Sequence, residues 1–122
     1  MKRKRMNDKN PITRKAEIIN KLANNVGTIG KFGVRRIGLF GSVAKGEIKP
    51  GSDIDIIVEF EEGKENFKNL INLYFFLSDL LGSKIDLVTP ESLSPYIAPY
   101  ILKEVEYIEE LSRIFKAHKR RM

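Results

Sequence analysis

Apolar positions along the chain fall either at three- and four-residue spacing or in short continuous blocks, and the order of these two patterns predicts the order of elements. After Asn10-Pro11, the residues Ile12, Ala16, Ile19, Leu22, Ala23 and Val26 make one apolar helical face, opened by a proline at its first position. Gly27, Gly30 and Gly33 are expected to end that helix. Val34-Arg35-Arg36-Ile37-Gly38-Leu39-Phe40 is then a short apolar block halted by Gly41-Ser42, which predicts a strand feeding a polar, Gly/Pro-rich loop to Gly51-Ser52.

Asp53-Ile54-Asp55-Ile56-Ile57-Val58-Glu59-Phe60 is β-branched and apolar enough for a central strand, closed by the turn Glu61-Glu62-Gly63-Lys64. Phe67, Leu70, Ile71, Tyr74, Leu77 and Leu81 return to helical spacing, with Leu73, Phe75 and Phe76 widening the face. This predicts a helix buried against a sheet, with Gly82 as its C-terminal cap. Lys84-Ile85-Asp86-Leu87-Val88 reads as a third strand, and Ser94-Pro95 opens another helix to about Leu102 in which Pro99 is expected to force a kink. Val105, Ile108, Leu111 and Phe115 fit a helix, while Val105 to Ile108 read equally as an edge strand. The series predicts an α/β (α+β) fold, a small mixed β-sheet with helices packed on it.

Composition narrows the chemistry. A chain of 122 residues, 42% hydrophobic and 31% charged, has the size of one domain with one core. It contains no cysteine and a single histidine, His118, which excludes disulfides, thiolate metal sites and cysteine nucleophiles and leaves any metal to oxygen ligands. The longest apolar stretch, Leu70 to Leu81, is interrupted by Asn72, Ser78 and Asp79 and is too short for a membrane span. The basic start is followed by no apolar signal segment, so a cytoplasmic protein is expected.

The net charge of +6 resides at the ends. Residues 2–9 and 113–121 carry five basic residues each, and without them and Asp8 the remainder has 12 basic against 15 acidic residues. The expected organisation is a basic arm (1–9), one domain (10–112) and a basic tail (113–122). Charged ends are more often solvated than functional, so nucleic-acid binding through them is a subordinate reading.

The candidate chemistry lies in three places. Gly41-Ser42 follows a strand and precedes a helical turn, where a residue without Cβ lets backbone N–H groups approach an anion; alone, the dipeptide is also an ordinary serine cap. Asp53 and Asp55, two apart on a strand, share one face with Cα atoms about 6.5 to 7 Å apart. Like charges about 5 Å apart repel by roughly 3 kcal/mol at an effective dielectric near 20, which an oxygen-bound divalent cation would offset. Asp86 is a third acid amid apolar neighbours, and a helix crossover placing its strand beside that of Asp55 would bring all three carboxylates to one site.

Gly41-Ser42 with Ala44-x-Gly46, then Ser52-Asp53-Ile54-Asp55-Ile56-Ile57-Val58, then Lys84-Ile85-Asp86-Leu87-Val88, resembles the minimal nucleotidyltransferases of the DNA polymerase beta-like superfamily. The resemblance runs from about Val34 to Ile108. It implies the polymerase-beta-like fold, nucleotide phosphates held at Gly41 and Ser42, and Mg²⁺, as two ions, bound by Asp53 and Asp55. Asp86 would complete the metal site and help deprotonate the attacking hydroxyl. Lys45 stands where relatives often have arginine, which keeps the charge and loses the bidentate phosphate geometry. Small members of the family resemble the antitoxin of pairs in which a HEPN ribonuclease toxin is silenced. That implies an adenylyltransferase moving AMP from ATP to a toxin tyrosine. A stoichiometric toxin-binding module, or a nucleotidyltransferase acting on a small-molecule hydroxyl, remains as an alternative.

Overall fold

Ile18 and Leu22, one turn apart, are the residues by which the first helix, α1 (Pro11–Ala23), enters the core of the computed structural model, which describes residues 11–108. The predicted basic arm and tail, with Leu111, Phe115 and His118, lie outside the described residues. The apolar face of α1 is rotated from the expected one: Ala16 is exposed and Ile19 half-buried. The glycine run does not simply end the helix. After a turn at Asn24-Asn25 the chain forms a second short helix, α2 (Val26–Lys31), that contains Gly27 and Gly30. Each glycine costs a helix about 1 kcal/mol, and burial of Val26 and Ile29 on one face offsets it. Gly33, at φ +89°, then turns the chain into the sheet.

The four strands are β1 (Val34–Leu39), β2 (Ile54–Phe60), β3 (Ile85–Val88) and β4 (Glu106–Tyr107), in the order β3-β2-β1-β4. β1 lies antiparallel to both β2 and β4, and β2 and β3 run parallel. The sheet is therefore mixed, as expected. Parallel neighbours need a crossover, which is supplied by α4 (Phe67–Leu81), capped by the Asn66 side chain at its start and by Gly82 at φ +62° at its end. The line that α4 buries is Leu73, Leu77 and Leu81, whereas Phe67 and Phe75 of the wider expected face are exposed. Along β2, Ile54, Ile56 and Val58 pack with α1, α2 and α4 in the main core. The alternate residues Asp55, Ile57 and Glu59 consequently point to the opposite face.

Pro99 causes no kink, because α5 (Ala98–Glu104) begins only at Ala98 and a proline in the first turn has no N–H that needs a partner. The two readings of Val105 to Ile108 resolve as an edge strand: Gly38 pairs with Tyr107 and Leu39 with Glu106. This two-residue strand is secured by side chains. The Glu59 carboxylate receives Arg35 Nη2 at 2.6 Å, Arg36 Nη2 at 3.0 Å and the Tyr107 hydroxyl at 3.0 Å, and the Arg36 guanidinium sits 3.6 Å from the Tyr107 ring centroid. No helix among the described residues is long and apolar enough to cross a membrane.

Candidate active site

The end of β1 delivers the Gly-Ser turn. Phe40 is extended, and its N–H donates to the Asp55 carbonyl at 3.1 Å, which fixes the turn beside the start of β2. Gly41, at φ +69°, then bends the chain into a single helical turn, α3 (Gly41–Ala44), that has no side-chain cap. Only glycine fits there. The conformation is one that side chains avoid, and a Cβ on Gly41 would overlap Oδ2 of Asp55. Ser42 is half-buried, and its carbonyl accepts the Glu47 N–H at 2.8 Å, folding the following loop back on the turn. Lys15 Nζ, from α1, donates to the Ala44 carbonyl at 2.7 Å and pairs with Glu106 at 2.8 Å, so one ammonium ties the far end of α3 to β4. Nothing in the sequence singled out Lys15, since its two partners meet only in the folded chain.

The acids are placed by the sheet. Asp55 and Asp86 are register partners on β2 and β3, held by the ladder in which Ile54 N–H donates to the Lys84 carbonyl at 3.0 Å. Asp53 stands just before β2, exposed, and Asp86 is exposed, while Asp55 is half-buried. Burial raises the Asp55 carboxyl above the ordinary carboxylate range, and repulsion from Asp86 and then Asp53 raises it further. The crossover thus brings Asp86 beside Asp55 as expected, while the antiparallel pairing of β1 with β2 brings Gly41 into contact with Asp55. Among the described residues, however, no three acids or histidines converge into a ready-made metal cage. Lys45 is exposed, with no ion pair among the described residues.

This donor set fits a hard divalent cation. It offers only oxygens, and its central carboxyl carries surplus negative charge that a cation would relieve. Mg²⁺ typically takes one or two carboxylates and completes its shell with water and substrate phosphate, so it requires no protein cage. A small mixed sheet that sets a Gly-Ser turn against an Asp-x-Asp pair defines an enzyme class suited to phosphoryl chemistry.

The chain belongs to the nucleotidyltransferase domain family, whose pattern matches residues 19–108. It is a nucleotidyltransferase with the polymerase-beta-like fold. It is 49% identical over 78 residues to the protein adenylyltransferase MntA of Thermococcus cleftensis, a match covering 64% of this chain and 78% of that one. A solved structure described as a candidate minimal nucleotidyltransferase is similar at 31% identity with a TM-score of 0.64, covering 81% of this chain and 96% of the other. A toxin–antitoxin crystal structure with AMP-PNP shares the fold at 20% identity, with a TM-score of 0.57, over 80% of this chain and 87% of that one.

Proposed function

We propose that this nucleotidyltransferase is a Mg²⁺-dependent protein adenylyltransferase that moves AMP from ATP to a tyrosine of a HEPN ribonuclease toxin, and so serves as the antitoxin of a toxin–antitoxin pair. The observation that carries the reading is the meeting of the Gly41 turn with Asp55, itself in register with Asp86. The 49% identity to a named protein adenylyltransferase supports the AMP chemistry.

In this reading the uncapped turn at Gly41 and Ser42 offers backbone N–H groups and a hydroxyl to the triphosphate, fixing the α-phosphorus in front of the acids. Asp53, Asp55 and Asp86 would hold the ion, with water and substrate phosphate completing its shell in place of a protein cage. Once bound there, Mg²⁺ would neutralise the phosphate charge that builds up in the transition state. Asp86 accepts the proton of the tyrosine hydroxyl as its oxygen bonds to the α-phosphorus. The bond from that phosphorus to the oxygen bridging to the β-phosphorus breaks, and pyrophosphate leaves. Asp55 is the acid most enclosed by the fold and Asp86 the more open, which suits Asp86 to meet an incoming protein.

The test is transfer of label from α-³²P-ATP with Mg²⁺ in a lysate of the source organism, comparing wild type with Asp53→Asn/Asp55→Asn and reading the acceptor by gel and mass spectrometry. A labelled toxin band carrying AMP on tyrosine, lost in the double variant and with EDTA, is the expected result. Full toxin neutralisation by the folded double variant would instead make the protein a stoichiometric binder. Label found only on a small hydroxyl compound, with no protein partner present, would make it a small-molecule transferase.

A further inference from the structure

Beside the start of β2 and β3 lies a cleft of about 400 Å³ whose lining includes Arg14, Lys49 and Lys84. Its remaining wall includes Ser52 and Ser83, with Ile48 as an apolar boundary, and none of its lining residues is acidic. Neither Gly41, Ser42 nor any of the three acids lines it. Ile48 belongs to the main core together with Ile54 and Ile56, and Arg14 rides on α1, whereas Asp55 points to the other face of β2. None of the three cationic side chains has an ion pair or hydrogen bond among the described residues.

Lys49 and Lys84 are exposed and Arg14 half-buried, and a recess lined by one sign of charge focuses its field on an incoming anion. Guanidinium and ammonium groups beside two hydroxyls are the donors that recognise phosphate oxygens. The volume falls in the usual range for small-molecule sites. We infer that this cleft is a second anion site, distinct from the nucleotide turn, that binds a phosphate-bearing small molecule. Two backbone hydrogen bonds link it to the segments of the active site. Ser52 N–H donates to the Lys49 carbonyl at 3.0 Å immediately before Asp53, and the Lys84 carbonyl accepts from Ile54 two positions before Asp86. An anion drawing Lys49 and Lys84 together therefore stiffens the segments that carry Asp53 and Asp86. The inference stands on the cleft itself and holds whatever the acceptor of the reaction proves to be.

The experiment is a titration of the full chain with inorganic tripolyphosphate in EDTA, following backbone amide chemical shifts. Saturable shifts are expected at Arg14, Ser52, Ser83 and Lys84. Arg14→Gln/Lys84→Gln, and separately Lys49→Gln, should weaken binding at least about tenfold, while Asp53→Asn/Asp55→Asn leaves these shifts in place. Replacing tripolyphosphate by ADP distinguishes the sources within the proposal: tighter binding assigns a nucleotide, and equal or weaker binding assigns the phosphate chain alone. Shifts centred on Gly41 and Ser42 that the cleft variants do not weaken would overturn it, as would the absence of saturation at the cleft.

Discussion

The Asp55 carboxylate lies where a side chain on Gly41 would begin. Gly41→Ala should therefore meet two obstacles, a strained positive φ and a clash with a candidate metal-binding carboxylate. Gly82→Ala is the natural comparison, since Gly82 has φ +62° but open space around its Cα. We expect Gly82→Ala to cost about 1 kcal/mol in chemical denaturation and leave activity per folded molecule unchanged. Gly41→Ala should cost at least about 2 kcal/mol and lower nucleotidyl transfer by about 100-fold or more.

Asp55 opposes stability in neutral solution. Its carboxyl titrates above the ordinary range in the folded chain, through burial and then the charges of Asp86 and Asp53. As pH rises from the ordinary carboxylate range through that raised value, the folded state keeps a proton that the unfolded chain has released, and stability falls. Asp55→Asn should raise the melting temperature at pH 7 by about 3 °C while abolishing transfer, and the gain should vanish in acid below the ordinary carboxylate range. Thermal melts across pH, without divalent ions, check both signs.

Asp86 is exposed at its register position, so its replacement should disturb chemistry more than folding. Asp86→Asn is expected to lower the single-turnover transfer rate about 100-fold or more, with nucleotide affinity within a few-fold of wild type and a melting temperature at pH 7 no lower than wild type's, since it relieves part of the repulsion on Asp55. A loss confined to nucleotide binding would remove Asp86 from the role of base.

Glu59 offers a purely structural counterpart. Its carboxylate gathers Arg35, Arg36 and Tyr107, so Glu59→Ala leaves two neighbouring guanidinium groups unpaired against β4. The side chain is only 16% exposed, and a loss of about 1–3 kcal/mol is expected by urea unfolding. Tyr107→Phe removes one hydrogen bond and should cost about 1 kcal/mol.

What could be read from the sequence was what local pattern or chain connectivity determines. Gly82 announced its left-handed cap, the apolar block of β2 its central place, and the strand–helix–strand order the pairing that sets Asp55 beside Asp86. α2 escaped because glycine propensity argues one way and the burial of Val26 and Ile29 the other, and burial is a tertiary fact. Pro99 sits in a first turn rather than mid-helix because α5 starts a few residues later than Ser94-Pro95 suggests. The cleft was invisible because Arg14, Lys49 and Lys84 are far apart in sequence and meet only through α1, the loop before β2 and the start of β3. The Glu59 cluster was hidden for the same reason.

Asp55 and Asp86 stand on adjacent hydrogen-bonded strands, so their spacing is that of any neighbouring strand pair, about 4.8 Å between backbones, and no loop adjusts it. Tyr96, Ile97 and Tyr100, exposed between β3 and β4, lie on a connection that sets no part of that spacing. Replacing surface residues there leaves the dimensions of the carboxylate pair unaltered. The dimensions of the chemistry are thereby set by backbone pairing, apart from the composition of this exposed rim.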